Sequence, residues 1–76
     1  MIHITNNTNE IVYCYLQQKE NLFQIGLLYP NESILRNLQK GGFIQFKLTQ
    51  MICGIIVPCK TFASKEIKNN SYINIH

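Results

Sequence analysis

From Gly42 onward the chain alternates strictly, with Ile44, Phe46 and Leu48 on one side and Phe43, Gln45 and Lys47 on the other. A period of two marks a strand with one buried and one wet face. Ile2-His3-Ile4-Thr5 and Tyr72-Ile73-Asn74-Ile75-His76 alternate in the same way, with the isoleucines inward. His3, Thr5, Tyr72, Asn74 and His76 then point to water. The wet side of residues 43–47 carries a ring, an amide and an ammonium in a row, a set that adds little to a fold and suits a flat, negatively charged ligand.

Three stretches admit two readings. Ile11 to Leu16 is a continuous apolar run rich in β-formers and, taken alone, a strand. Over residues 11–25, Ile11, Val12, Tyr15, Leu16, Lys19, Leu22 and Phe23 fall at helical spacing, opposite Gln17, Gln18, Glu20 and Asn21. Thr8 or Asn9 can cap such a helix and Gly26 can end it, so the longer window favours helix. In residues 49–57, Thr49 can cap while Met51, Ile52, Ile55 and Ile56 share a helical face; the rival is a buried strand, and Pro58 stops either one. Between them, Tyr29-Pro30-Asn31-Glu32 reads as a turn, and Ser33 to Leu38 as a strand or as a short helix capped by Asn31 and ended by Gly41, of which the strand is preferred. The Gln39-Lys40-Gly41-Gly42 connection makes a hairpin into the strand at 43. Residues 59–71 read as an irregular, lysine-containing connection.

The order strand, helix, strand, strand, helix, strand in 76 residues is the split βαβ layout, in which the first and third strands are neighbours. Ile2-His3-Ile4-Thr5-Asn6-Asn7 has an aliphatic-aromatic-aliphatic-x-Asn pattern, with His3 in the aromatic place. Lys40-Gly41-Gly42-Phe43-Ile44-Gln45-Phe46 is a basic, glycine-containing, aromatic run, and Phe23-Gln24-Ile25-Gly26 closes the first helix. On these segments the chain resembles the RNA recognition motif (RRM): the first is similar to its hexamer, the second to its octamer, and Ser71 to Ile75 to its fourth strand. The octamer lacks an aromatic between Gly41 and Gly42, and the second helix lacks the Ala-rich pattern. These departures are similar to the RRMs of the polypyrimidine-tract-binding type. The resemblance implies a single α+β domain over residues 1–76: a ferredoxin-like βαββαβ sandwich, with a four-stranded antiparallel sheet and two helices on one face. The alternative architecture is a small all-β sandwich with residues 10–17 and 50–57 as strands.

The RRM resemblance also implies single-stranded, pyrimidine-rich RNA on the exposed sheet face. Phe43 would stack a base, a contact worth about 1–3 kcal/mol, and His3 would stack or hydrogen-bond a second. Tyr72 and Asn74 would read a base edge, with Thr5 and Gln45 on the same surface. Lys40, Lys47 and, more weakly, Arg36 would meet phosphate. Each has a plainer alternative: a surface ring covered by a loop, or a solvated lysine. Two other function classes stand beside RNA binding, a module docking a partner protein and a small all-β inhibitor or immunity-type binder.

Composition bounds these readings without choosing among them. Apolar residues make up 46% of the chain and charged ones 14%, which favours folding over disorder. The net charge of +3 permits nucleic acid without demanding it. Asn6-Asn7-Thr8, Asn31-Glu32-Ser33 and Asn69-Asn70-Ser71 fit the glycosylation triplet by chance in so Asn-rich a chain. Cys14, Cys53 and Cys59 form no CxxC pair and lack metal-site spacing, so free thiols in an intracellular protein are expected, with no metal and no cofactor; the RRM resemblance implies the nucleus beside the cytoplasm. Glu10, Glu20, Glu32 and Glu66 have no paired carboxylate and the two histidines lie far apart in sequence, which gives no enzymatic signature. The longest apolar run, Met51 to Val57, is far too short to span a bilayer, and no membrane partner is expected.

Overall fold

The computed structural model describes residues 1–39 and 41–76. Seven strands follow one another along it: β1 (Ile2–Asn6), β2 (Val12–Gln18), β3 (Asn21–Leu28), β4 (Ser33–Arg36), β5 (Phe43–Ile52), β6 (Ile55–Glu66) and β7 (Tyr72–Ile75). They form a three-stranded sheet in the order β4-β1-β7 and a four-stranded sheet in the order β3-β2-β5-β6. Every pairing is antiparallel except β1 with β7, which is parallel.

Alternation builds this arrangement. In β2 the side chains of Val12, Cys14 and Leu16 are buried, while Tyr13, Tyr15 and Gln17 are half-exposed on the other side. β5 matches it, with Ile44 and Phe46 buried beneath Phe43, Gln45 and Lys47. Ile2 and Ile4 of β1 and Ile73 and Ile75 of β7 come from the other sheet into the same core, joined by Leu28 and Ile67. The two sheets thus close on one another in a small β-sandwich-like body, and each fully buried Ile, Leu or Phe contributes about 1.5–3 kcal/mol.

One buried polar residue, Asn6, shapes the end of β1. Its amide nitrogen donates to the carbonyls of Glu10 (2.7 Å) and Leu28 (3.0 Å). Its amide oxygen accepts from the backbone nitrogen (3.0 Å) and hydroxyl (2.6 Å) of Thr8. The loop from β1 to β2 is therefore wrapped around a saturated amide, and that amide also ties the loop to β3 in the opposite sheet. Burial without this saturation would be costly.

This architecture overturns the α+β reading and with it the RRM resemblance. Among the described residues there is no helix. The rival strand reading of residues 11–16 is the one adopted: the chain turns at Lys19-Glu20 and returns as β3, so the helical spacing of residues 11–25 spans two strands of a hairpin. Residues 49–57 likewise belong to β5 and β6, turning at Cys53-Gly54. The hairpin expected between residues 33–38 and 43 does not form, because β4 and β5 lie in different sheets. Most of the connection expected at residues 59–71 is strand, β6 continuing to Glu66. The first strand is flanked by β4 and β7, not by the strand at 43, so the ferredoxin-like neighbour relation is absent.

Candidate functional site

The residues singled out from sequence fall on two separate surfaces. His3, Thr5, Tyr72 and Asn74 share the outer face of the three-stranded sheet, where Leu35, His3 and Tyr72 form one cross-strand row and Ser33, Thr5 and Asn74 the next. The His3 and Tyr72 rings meet edge to face at 5.3 Å, and the hydroxyls of Thr5 and Ser33 lie 2.8 Å apart in a hydrogen bond. Phe43, Gln45 and Lys47 lie on the outer face of the other sheet. The single surface expected to unite both groups does not exist. Arg36 belongs to neither: its Nε donates to the carbonyl of Ile25 (2.9 Å), bridging β4 to β3 in the opposite sheet. Lys40 lies outside the described residues.

The outer face of the four-stranded sheet carries the denser constellation. Register places its side chains in three rows of four, because residues opposite one another across a ladder share a face. They are Leu22, Gln17, Phe43 and Glu66, then Gln24, Tyr15, Gln45 and Ser64, then Leu27, Tyr13, Lys47 and Thr61. Bulges keep the rows aligned, Ile25 being the extra residue in β3 and Phe62 in β6.

Within these rows the polar groups are held in place. The Gln45 amide nitrogen donates to the Gln17 amide oxygen, and the Lys47 ammonium donates to the Thr61 hydroxyl at 2.7 Å. The same ammonium lies 5.7 Å from the centre of the Tyr15 ring, within range of a cation–π attraction. Tyr13 and Tyr15 are 5.8 Å apart, centre to centre, and the Tyr13 hydroxyl donates to the carbonyl of Ile56 (3.1 Å). Burial, and secondarily the neighbouring Tyr13, raise the Tyr15 hydroxyl above its ordinary pKa. Phe43 remains 47% exposed, so it is a surface ring and not part of the core.

The helical reading of residues 11–25 leaves Tyr13 and Tyr15 off the candidate surface. The signal that would have found them is the alternation of Val12, Cys14 and Leu16 with Tyr13, Tyr15 and Gln17, the same period of two that marked β5.

Electrostatics limits what this face can hold. Of its twelve residues only Lys47 and Glu66 are charged, so it is neutral overall. A polyanion gains most of its affinity from several cations acting together, and one lysine already bonded to a hydroxyl supplies little of that. Among the described residues no three His, Cys, Asp or Glu side chains gather as metal ligands would.

The fold and this surface define a small two-sheet β domain with an uncovered, tyrosine-bearing sheet face. No protein-family model, curated protein or solved structure matches the chain.

Proposed function

We propose that this chain is a non-catalytic module that docks a partner protein on the outer face of its four-stranded sheet. The observation that carries this reading is the set of rows holding Tyr13, Tyr15, Phe43, Leu22 and Leu27 around a Gln17–Gln45 amide pair with no net charge. Tyrosine and phenylalanine supply large contact area at low entropic cost, and amides supply hydrogen bonds, a mixture enriched at protein interfaces and in antibody combining sites. Charge depletion belongs to the same pattern.

Single-stranded RNA is the second reading, favoured by the rings of Tyr15 and Phe43 beside the Lys47 ammonium. The two are separated by one pair of measurements on the wild type and on Phe43→Ala. Proteins crosslinked to the chain in its source cells, after ribonuclease treatment, should be lost on substitution, with the melting temperature nearly unchanged. Labelled pyrimidine-rich strands, titrated at two salt concentrations, should bind weakly and without dependence on Phe43. Salt-sensitive binding of those strands that Phe43→Ala weakens would assign the face to RNA. If neither capture nor strand binding responds to Phe43, this face is not the working surface.

A further inference from the structure

The apolar run Met51–Val57 has no counterpart in the docking face. β2 accompanies β5 only as far as the Val12–Leu48 pair. Beyond it β5 and β6 continue alone, pairing Thr49 with Pro58, Gln50 with Val57, Met51 with Ile56 and Ile52 with Ile55. Cys53 (φ 52°) and Gly54 (φ 77°) close the two-residue turn, the left-handed geometry that suits a tight hairpin. The result is a two-stranded ribbon beyond the end of β2, curled so that its Ile56 carbonyl accepts from the Tyr13 hydroxyl (3.1 Å) while its tip stays exposed.

Its tip carries the most exposed aliphatic side chains among the described residues, Ile55 at 64% and Met51 at 62%, with Ile52 at 49%. Directly opposed residues share a face, so Met51 and Ile56 lie on one side of the ribbon and Ile52 and Ile55 on the other. Both sides are apolar. A flat partner could cover one and would leave the other in water. From Leu48 to Cys59 no residue is charged, while Lys47 and Lys60 flank the stretch. Pairing of Lys47 with Thr61 sets both lysines level at the ribbon's root.

We propose that this ribbon inserts its tip into the boundary between headgroups and acyl chains of a lipid bilayer, with Lys47 and Lys60 against the headgroups. A fluid apolar medium covers both faces at once, which a rigid surface cannot. Depth is limited in two ways. Four residues at about 3.3 Å each reach roughly 13 Å. Apart from the Ile56 carbonyl, bonded to the Tyr13 hydroxyl, the outward N–H and C=O groups along the ribbon edges have no third strand to pair with and are penalised in hydrocarbon, which holds the tip near the boundary. Glu10 and Glu32 sit on loops at the same end of the sheet, Glu32 accepting a hydrogen bond from the Tyr29 nitrogen. The lysines therefore give a preference for anionic lipid and not a requirement for it. The run too short to cross a membrane is long enough to anchor on one.

The test is flotation of the full chain with phosphatidylcholine vesicles, with and without phosphatidylglycerol, alongside the Ile52→Ser/Ile55→Ser variant. The wild type should float with both and more with phosphatidylglycerol. The variant should lose affinity by about tenfold or more, two exposed isoleucines together supplying over 1.4 kcal/mol, at an unchanged melting temperature. A polarity-sensitive fluorophore on Cys53, in a Cys59→Ser background, should shift blue on vesicles and be quenched by brominated lipid. Absence of flotation, or flotation indifferent to the substitutions, overturns the proposal. A wild type that stays off vesicles and sediments as a dimer, becoming monomeric on substitution, would overturn it in favour of a second copy of this chain.

Discussion

Cys14 lies on the inner face of β2, opposite Gly26 of β3 and Phe46 of β5. Burial pushes its thiol from 9.0 up to about 12, against a smaller opposite pull from Arg36. The folded state therefore keeps this proton at pH values where the unfolded chain has released it. Between about 9 and 12 the unfolded state binds fewer protons, so the contribution of Cys14 to stability, intact below that window, declines as pH rises through it. Denaturant midpoints measured across the window should fall more steeply for the wild type than for Cys14→Ala. Thiol titration at neutral pH adds a second readout: Cys53 and Cys59, both exposed, should react at once, and Cys14 only with unfolding. Asn6 is the polar counterpart of Cys14, buried because four hydrogen bonds saturate its amide. Local sequence could not show this, since the partner carbonyl of Leu28 arrives from a distant strand.

At the scale of elements, close approach of backbones decides which glycines matter. A Cβ on Gly42 would lie 2.8 Å from the carbonyl oxygen of Gln17 and 3.1 Å from Cγ of Gln18, and the former is backbone that cannot swing aside. The Gly42 carbonyl also accepts from the nitrogen of Ile67 (2.9 Å), tying the end of β6 to the start of β5. Gly42→Ala should cost about 1–3 kcal/mol in a denaturant titration. Gly26→Ala should cost less, because the atom in its way is the terminal methyl of Ile34, which can move. Elements whose pattern was local were legible: β1, β5 and β7 show the period of two, and Ser33–Arg36 forms the strand expected within residues 33–38. The failures were hairpins. Leu22 and Phe23 stand at helical spacing from Leu16 and Lys19 in sequence, yet the chain reverses at Lys19-Glu20, and only the shorter alternation of residues 12–17 favours strand over helix. Cys53-Gly54 hid the second reversal in the same way. The candidate face was half legible for the same reason, its β5 side visible and its tyrosines assigned to a helix.

At the scale of the molecule, the sandwich is closed by its last strand. Ile73 and Ile75 of β7 enter the core, and β7 is the parallel neighbour of β1, with the nitrogen of His3 bonded to the carbonyl of Ser71 (2.9 Å) and that of Asn7 to the carbonyl of Ile75 (2.8 Å). Deleting residues 72–76 would remove two core side chains and expose one edge of β1, leaving the three-stranded sheet as a marginal two-stranded ribbon. Loss of a cooperative thermal transition is the expected outcome, read by far-ultraviolet circular dichroism. A truncated chain that still melts cooperatively would show that β4 and β1 suffice to cover the larger sheet.

The parallel β1–β7 pair also fixes how the domain answers a mechanical load. Tension applied through the two chain ends pulls β1 back toward Met1 and β7 forward toward His76, so the strands slide along one another. Their hydrogen bonds are then strained together in shear, where an antiparallel terminal hairpin would unzip one bond at a time. Tethered at both ends, the domain would resist stretching at the ladder that completes its fold.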